Sequence, residues 1–127
     1  MNQVIPAEVQ QFVTDHIRSL DELEVLLLVS ALPDREWSVN AVYGVVLSNP
    51  SLVARRLEGF VRAGFLTRQG NPPLYRSAPQ SEAVAAQISG LAAAYQLSRH
   101  KVAELIYSRP EDPLVDFSKA FQFKRDK

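Results

Sequence analysis

The sequence contains no cysteine. Disulfides, thiol nucleophiles, thiol redox sensing and cysteine-based metal sites are thereby excluded together, and the chain fits a reducing, cytoplasmic setting. Histidine is nearly as scarce. His16 and His100 lie far apart, and no carboxylate cluster joins either of them at ligand spacing. No Ser/His/Asp arrangement stands out, and the five glycines form no phosphate-binding loop. These absences point away from an enzyme and imply no metal and no cofactor. Long hydrophobic runs are missing too. The longest, Val25 to Val29, falls far short of a membrane span. The opening "MNQVIPAEVQQF" lacks the basic segment and apolar stretch of a secretory leader. A soluble cytoplasmic protein without membrane contact is expected. Net charge is also absent, since 14 bases balance 14 acids.

What is present is enough for a proper core. The 127 residues, 46% of them hydrophobic, suit a single domain over 1–127. The balanced charge is segregated along the chain. Residues 1–34 carry one base and six acids, residues 35–76 six arginines and two acids, and residues 77–127 seven bases and six acids. Such a split points to a polar partner. The basic third is concentrated in "PSLVARRLEGFVRAGFLTRQGNPPLYR", Pro50 to Arg76, with five arginines and one acid.

Start and stop signals divide the chain into elements. Pro6 to about Ile17 predicts a first helix with Val9, Phe12 and Val13 on one face. Ser19-Leu20-Asp21-Glu22 is a capping box, opening a second helix through about Leu32. Its apolar face is wide: Leu23, Leu26, Leu27 and Ser30 on one side, broadened by Val25, Leu28 and Val29. That predicts a helix central to the core. Ser38 caps a short third helix whose buried positions are Val39, Val42, Val45 and Val46. A fourth runs from Asn49-Pro50 to Ala63, with Asn49 as cap, Pro50 as first residue and Gly64 as left-handed stop. Phe65 to Gln69 reads as a strand, Gly70-Asn71-Pro72-Pro73 as a turn, and Leu74 to Ser77 as a returning strand that the prolines confine to an edge. A long helix over 81–108 follows, then a tail over 111–127.

At the residue level, "SNPSLVARRLEGFVRAGFLTR" resembles the recognition helix and first wing strand of bacterial winged helix-turn-helix regulators, in the broad MarR/ArsR/PadR-like group. The resemblance rests on a polar cap, an aliphatic ladder and the ending "FVRAGFL". The "YR" of "PLYRSA" resembles the second wing strand, and "DREWSVNAVYGVVL" the positioning helix with its preceding strand-like segment. The resemblance covers about residues 19–78. It implies a mainly α fold, a winged helix-turn-helix with a two-stranded wing and a long C-terminal helix, and a regulator that binds duplex DNA. The long basic wing of MarR proteins, with its Asp-x-Arg signature, and the metal-ligand cysteines of ArsR proteins are both missing, so neither subgroup is assigned. Winged helices also dock proteins, and a non-enzymatic adaptor is the alternative.

On the fourth helix, Leu52, Val53, Leu57, Phe60 and Val61 gather as core, while Ser51, Arg55, Glu58 and Arg62 gather opposite and Arg56 sits on the flank. If that face enters a major groove, its N-terminal half reaches base edges. Ser51, Ala54 and Arg55 are then the readers, Arg55 by a guanine edge or a phosphate, and Arg62 meets the backbone. Glu58 repels phosphate unless it orients Arg55 or Arg62. The wing candidates are Arg68, Gln69, Asn71 and Arg76. A solvated helix face and an ordinary polar hairpin explain the same residues.

In the long helix, Val84, Ile88, Leu91, Tyr95, Ser98, Val102 and Leu105 step at heptad spacing. They form either a homodimer seam, with Ser98 as its polar position, or packing within the chain. Gly90 weakens that helix by about 1 kcal/mol relative to alanine, and allows a bend or a close approach. In the tail, Leu114, Phe117 and Phe121 share a helical face, and Phe117, Phe121 and Phe123 alternate with bases. Docking on the protein's own surface or a sister chain, stacking on single-stranded bases and membrane contact all fit that pattern.

Overall fold

The structure, a computed structural model, describes residues 5–107. The tail at 111–127 and its phenylalanines lie outside the described residues. Helix α1 (Ala7–His16) follows Pro6 and buries Val9, Phe12 and Val13. Helix α2 (Leu20–Ala31) is capped by the Ser19 hydroxyl, which accepts the Glu22 amide. The reciprocal arm of the box closes one residue further out than expected: Glu22 Oε1 accepts the backbone N–H of Arg18 at 2.7 Å. Leu23, Val25, Leu26 and Val29 of α2 are buried, and α2 touches α3, α4, α5 and β2. The wide apolar face is what lets one helix serve so many neighbours.

Helix α3 (Val39–Tyr43) starts where the Ser38 hydroxyl accepts the Ala41 N–H at 3.0 Å. Val42 and Val46 are buried as expected, but Val45 is 59% exposed. The helix has ended at Tyr43, so the helical spacing no longer governs where Val45 points. Helix α4 (Pro50–Ala63) opens with the Asn49 carboxamide oxygen accepting the N–H groups of Ser51 and Leu52 at 2.9 and 3.3 Å. It closes at Gly64, φ 88°, where a Cβ would stand 2.5 Å from Gln80 Oε1. The left-handed backbone favours glycine there, whereas the exposed Gln80 side chain can move aside. Val53, Leu57 and Phe60 are its buried residues.

Strands β1 (Leu66–Gln69) and β2 (Leu74–Ser77) form an antiparallel hairpin with Arg68 opposite Tyr75 and Thr67 opposite Arg76. Phe65 precedes the strand and stacks in the core against Phe12, Phe60 and His16. The expectation of β2 as an edge is corrected at Tyr75. Trp37 bridges it on the far side: Trp37 N–H donates to Tyr75 O at 2.7 Å, and Tyr75 N–H to Trp37 O at 2.8 Å. Pro72 and Pro73 lie in the turn before β2, where they block no ladder bond.

The C-terminal helix is two helices. Helix α5 (Glu82–Leu97) and helix α6 (Arg99–Tyr107) are separated at Ser98, whose backbone leaves the helical region (φ −154°, ψ 75°). The break lets α5 and α6 both pack on α1. A continuous helix would carry Val102 and Ile106 away from the core, whereas both are buried. The expectation of a dimer seam is corrected at three of its residues. Ile88, Leu91 and Val102 belong to the core of their own chain, whereas Val84, Tyr95 and Leu105 pack against it and stay half-buried. The three buried side chains are not available to a second copy. Gly90 serves close approach: a Cβ there would stand 3.0 Å from Val9 Cγ2 of α1.

Candidate nucleic-acid interface

Helix α4 is fixed by its core face, which leaves the opposite face to solvent. Ser51, Arg55 and Arg62 are exposed along it, and Ala54 is half-buried. Arg55 and Arg62 make no ion pair among the described residues. Arg56 is different. Its Nε stands 3.3 Å from Asp21 Oδ2 and its Nη2 donates to Ser19 Oγ at 3.4 Å. Ser19 also donates to Asp21. Burial pushes the Asp21 carboxyl up, but Ser19 and the Arg56 guanidinium outweigh it and hold the group below its ordinary range. Arg56 therefore ties α4 to the start of α2, so its guanidinium, unlike those of Arg55 and Arg62, is engaged within the chain.

The wing lies beside that face. Arg68, Gln69, Asn71 and Arg76 are all exposed, and Arg76 has no ion-pair partner among the described residues. Arg68 is held. Its Nη1 donates to both carboxylate oxygens of Glu58 at 2.7 Å. Tyr75 Oη donates to Glu58 Oε2 at 2.5 Å. Glu58 thus orients neither Arg55 nor Arg62, as the sequence alone suggested. It grips the wing, across the junction of α4 with β1 and β2.

The protonation of the three groups follows from that contact. The Tyr75 hydroxyl and then the Arg68 guanidinium hold the Glu58 carboxyl below its ordinary range. Burial first, then the donated bond to Glu58 and the charge of that carboxylate, push the Tyr75 phenol up to about 12. Glu58 also holds Arg68 more firmly in its charged form. Sequence reasoning missed Tyr75 as a member of this cluster. The alternation along β2 was its only signal, since Tyr75 turns inward while Arg76 turns outward.

Two further features bear on partners. Leu47 is 78% exposed beside Val45, between α3 and α4. Nearby, Leu27, Leu28, Val46 and Ala92 help line an open groove of about 720 Å³, with Glu24, Tyr95 and Arg99 also on its walls. Tyr95 Oη donates to Glu24 at 3.2 Å across it. His16 is an aromatic packing residue, with ring centroids 4.9 Å from both Phe12 and Phe65.

Helices α2 to α4 followed by the β1–β2 hairpin, with Trp37 alongside, define a winged-helix fold. The crystal structure of RV1404 from Mycobacterium tuberculosis is similar to this chain with a TM-score of 0.52 and 14% identity, covering 94% of this chain and 80% of that one. The likeness is one of fold. No family model and no curated protein matches the chain. Among the described residues, no helix is long and apolar enough to cross a membrane.

Proposed function

We propose that this chain is a non-enzymatic, cytoplasmic DNA-binding regulator that meets duplex DNA with the exposed face of α4 and the short wing. The observation that carries this reading is the exposure of Arg55 and Arg62 on one face of α4 and of Arg76 on the adjoining hairpin, none ion-paired among the described residues. Cations spent on internal pairs contribute little to a phosphate surface, and these are unspent. Ser51 and Arg55, in the N-terminal half of α4, are the base-edge readers. Arg62, Gln69, Asn71 and Arg76 are positioned for phosphate.

The test is binding to a random-sequence duplex over a range of salt. Replacing Arg55 and Arg62 together by alanine should weaken binding and reduce the log–log salt slope by about 0.9 for the Arg62 phosphate contact, and by about 1.8 where Arg55 also meets phosphate on a random sequence. An unchanged isotherm from a folded variant moves the interface elsewhere. Few readers per chain also lead us to infer a homodimer on DNA, since a second half-site adds effective concentration. With Ile88, Leu91 and Val102 packed internally, Leu97 and Tyr107 are the large exposed apolar side chains on α5 and α6 available to join two copies.

The second reading is a protein-docking adaptor. Its specific support is the exposed Val45 and Leu47 next to the α2–α5 groove. Absence of duplex binding by wild type at low salt selects it, and Leu47→Asp should then abolish partner capture with the fold intact.

A further inference from the structure

Ser51, Arg55, Glu58 and Arg62 recur at helical spacing on one face, so an acid sits amid the candidate phosphate contacts. A carboxylate there opposes the approach of DNA, yet both of its oxygens already accept hydrogen bonds within the chain. Both accept from Arg68, and one also accepts from Tyr75. The two bonds differ in character. The Arg68 and Glu58 side chains are 50% and 30% exposed, so water and phosphate oxygens reach the pair. Tyr75, by contrast, is only 1% exposed and is fixed by both backbone bonds to Trp37. One partner of Glu58 is therefore exchangeable and the other is not.

Guanidinium recognises carboxylate and phosphate by the same charge-assisted N–H donation. We propose that Glu58 is an internal competitor for duplex phosphate, occupying Arg68 in the free protein and yielding it to a backbone phosphate on binding, while Tyr75 retains the carboxylate. This rests on the duplex-binding reading above. It assigns the acid a purpose: indiscriminate attraction to any polyanion is lowered, and Arg68 is held close to the position from which it reaches DNA. Arg68 returns to Glu58 when the duplex leaves, because Tyr75 has kept the carboxylate in place.

A double-mutant cycle on a random-sequence duplex tests it, using wild type, Glu58→Gln, Arg68→Ala and the double variant across a salt series. Glutamine keeps an acceptor for Tyr75 and removes the charge. Glu58→Gln should bind about two- to fivefold more tightly, the range set by exposed ion pairs, and steepen the salt slope by up to about 0.9. In the Arg68→Ala background the same change should bring a clearly smaller gain, the part due to charge repulsion alone. A gain as large without Arg68 shows Glu58 acting by plain repulsion and overturns the proposal. So does a loss of affinity on Glu58→Gln in a protein whose circular dichroism and Trp37 emission match wild type.

One measurement needs no variant. The Arg68 side-chain NMR resonance of wild type should move when the duplex is added. A stationary resonance under saturating duplex overturns the exchange while leaving duplex binding intact. Absence of wild-type binding at low salt removes the parent reading and this proposal together, so the two failures are told apart by the wild-type arm alone.

Discussion

Among single side chains, Glu58 and Tyr75 couple stability to pH at both ends of the scale. Tyr75 keeps its proton in the folded state up to about pH 12, against an ordinary value of 10.0. Between those values the unfolded chain loses the proton first, so stability falls as pH rises through the window. Tyr75→Phe should flatten that alkaline loss, read from urea midpoints across the window. Glu58 is shifted the other way, below an ordinary 4.5, and Asp21 below 3.8. Their contributions are present above those values and fade as pH falls through the depressed ones. Glu58→Gln should therefore make the acid limb of the stability profile shallower. The largest single-residue losses belong to the core. Leu57 is fully buried, and Leu57→Ala should cost about 2–5 kcal/mol in denaturant titration. At Gly64 the backbone is left-handed, so Gly64→Ala should lose about 1–2 kcal/mol.

Elements bounded by local chemistry were legible in advance, and elements bounded by packing were not. Helix α4 begins and ends where its cap residues say, because Asn49, Pro50 and Gly64 act on the backbone within one turn. The split between α5 and α6 carries no such signal. Ser98 is a weak helix former but no breaker, and the apolar spacing runs straight through it. What ends α5 there is the gain from laying Val102 and Ile106 against α1. Ile88, Leu91 and Val102 of the seam are thus core residues, and their expected mutant behaviour changes. Replacing both Ile88 and Leu91 by charged residues should unfold the chain, since each would bury an unpaired charge. Loss of the helical circular dichroism signal with no intermediate folded monomer in light scattering is the expected result. A folded variant would show that α5 is held by less than its burial implies.

For the whole molecule, α1, α5 and α6 share one hydrophobic core with the winged helix. Unfolding followed by Trp37 fluorescence, which reports beside the wing, and by far-ultraviolet circular dichroism, which reports all helices, should give coincident transitions. The balanced charge is also organised at this scale. Acidic α2 and basic α4 are adjacent, and Arg56 joins them through Asp21. Part of the basic excess read from residues 35–76 is thereby consumed in holding helices together and, at Arg35, in stacking on Trp37, and what remains on α4 and the wing for a polyanion is Arg55, Arg62 and Arg76, with Arg68 in reserve.

Cap residues, apolar spacing and the glycine stop act over a few residues. The sequence by itself therefore determined the helices α1 to α4, the hairpin and the face of α4 turned to solvent. Which charges on that face are free depends on residues distant in the chain: Glu58 with Arg68 and Tyr75, Arg56 with Asp21. Whether the stripe from Val84 to Leu105 meets a second chain or its own depends on α1, some 70 or more residues earlier in the sequence. Neither pairing leaves a local pattern, because a side-chain contact between distant segments constrains only the surfaces that meet. The tertiary structure decided the charges by bringing the wing against Glu58, and it placed Ile88, Leu91 and Val102 of the stripe in the core of their own chain.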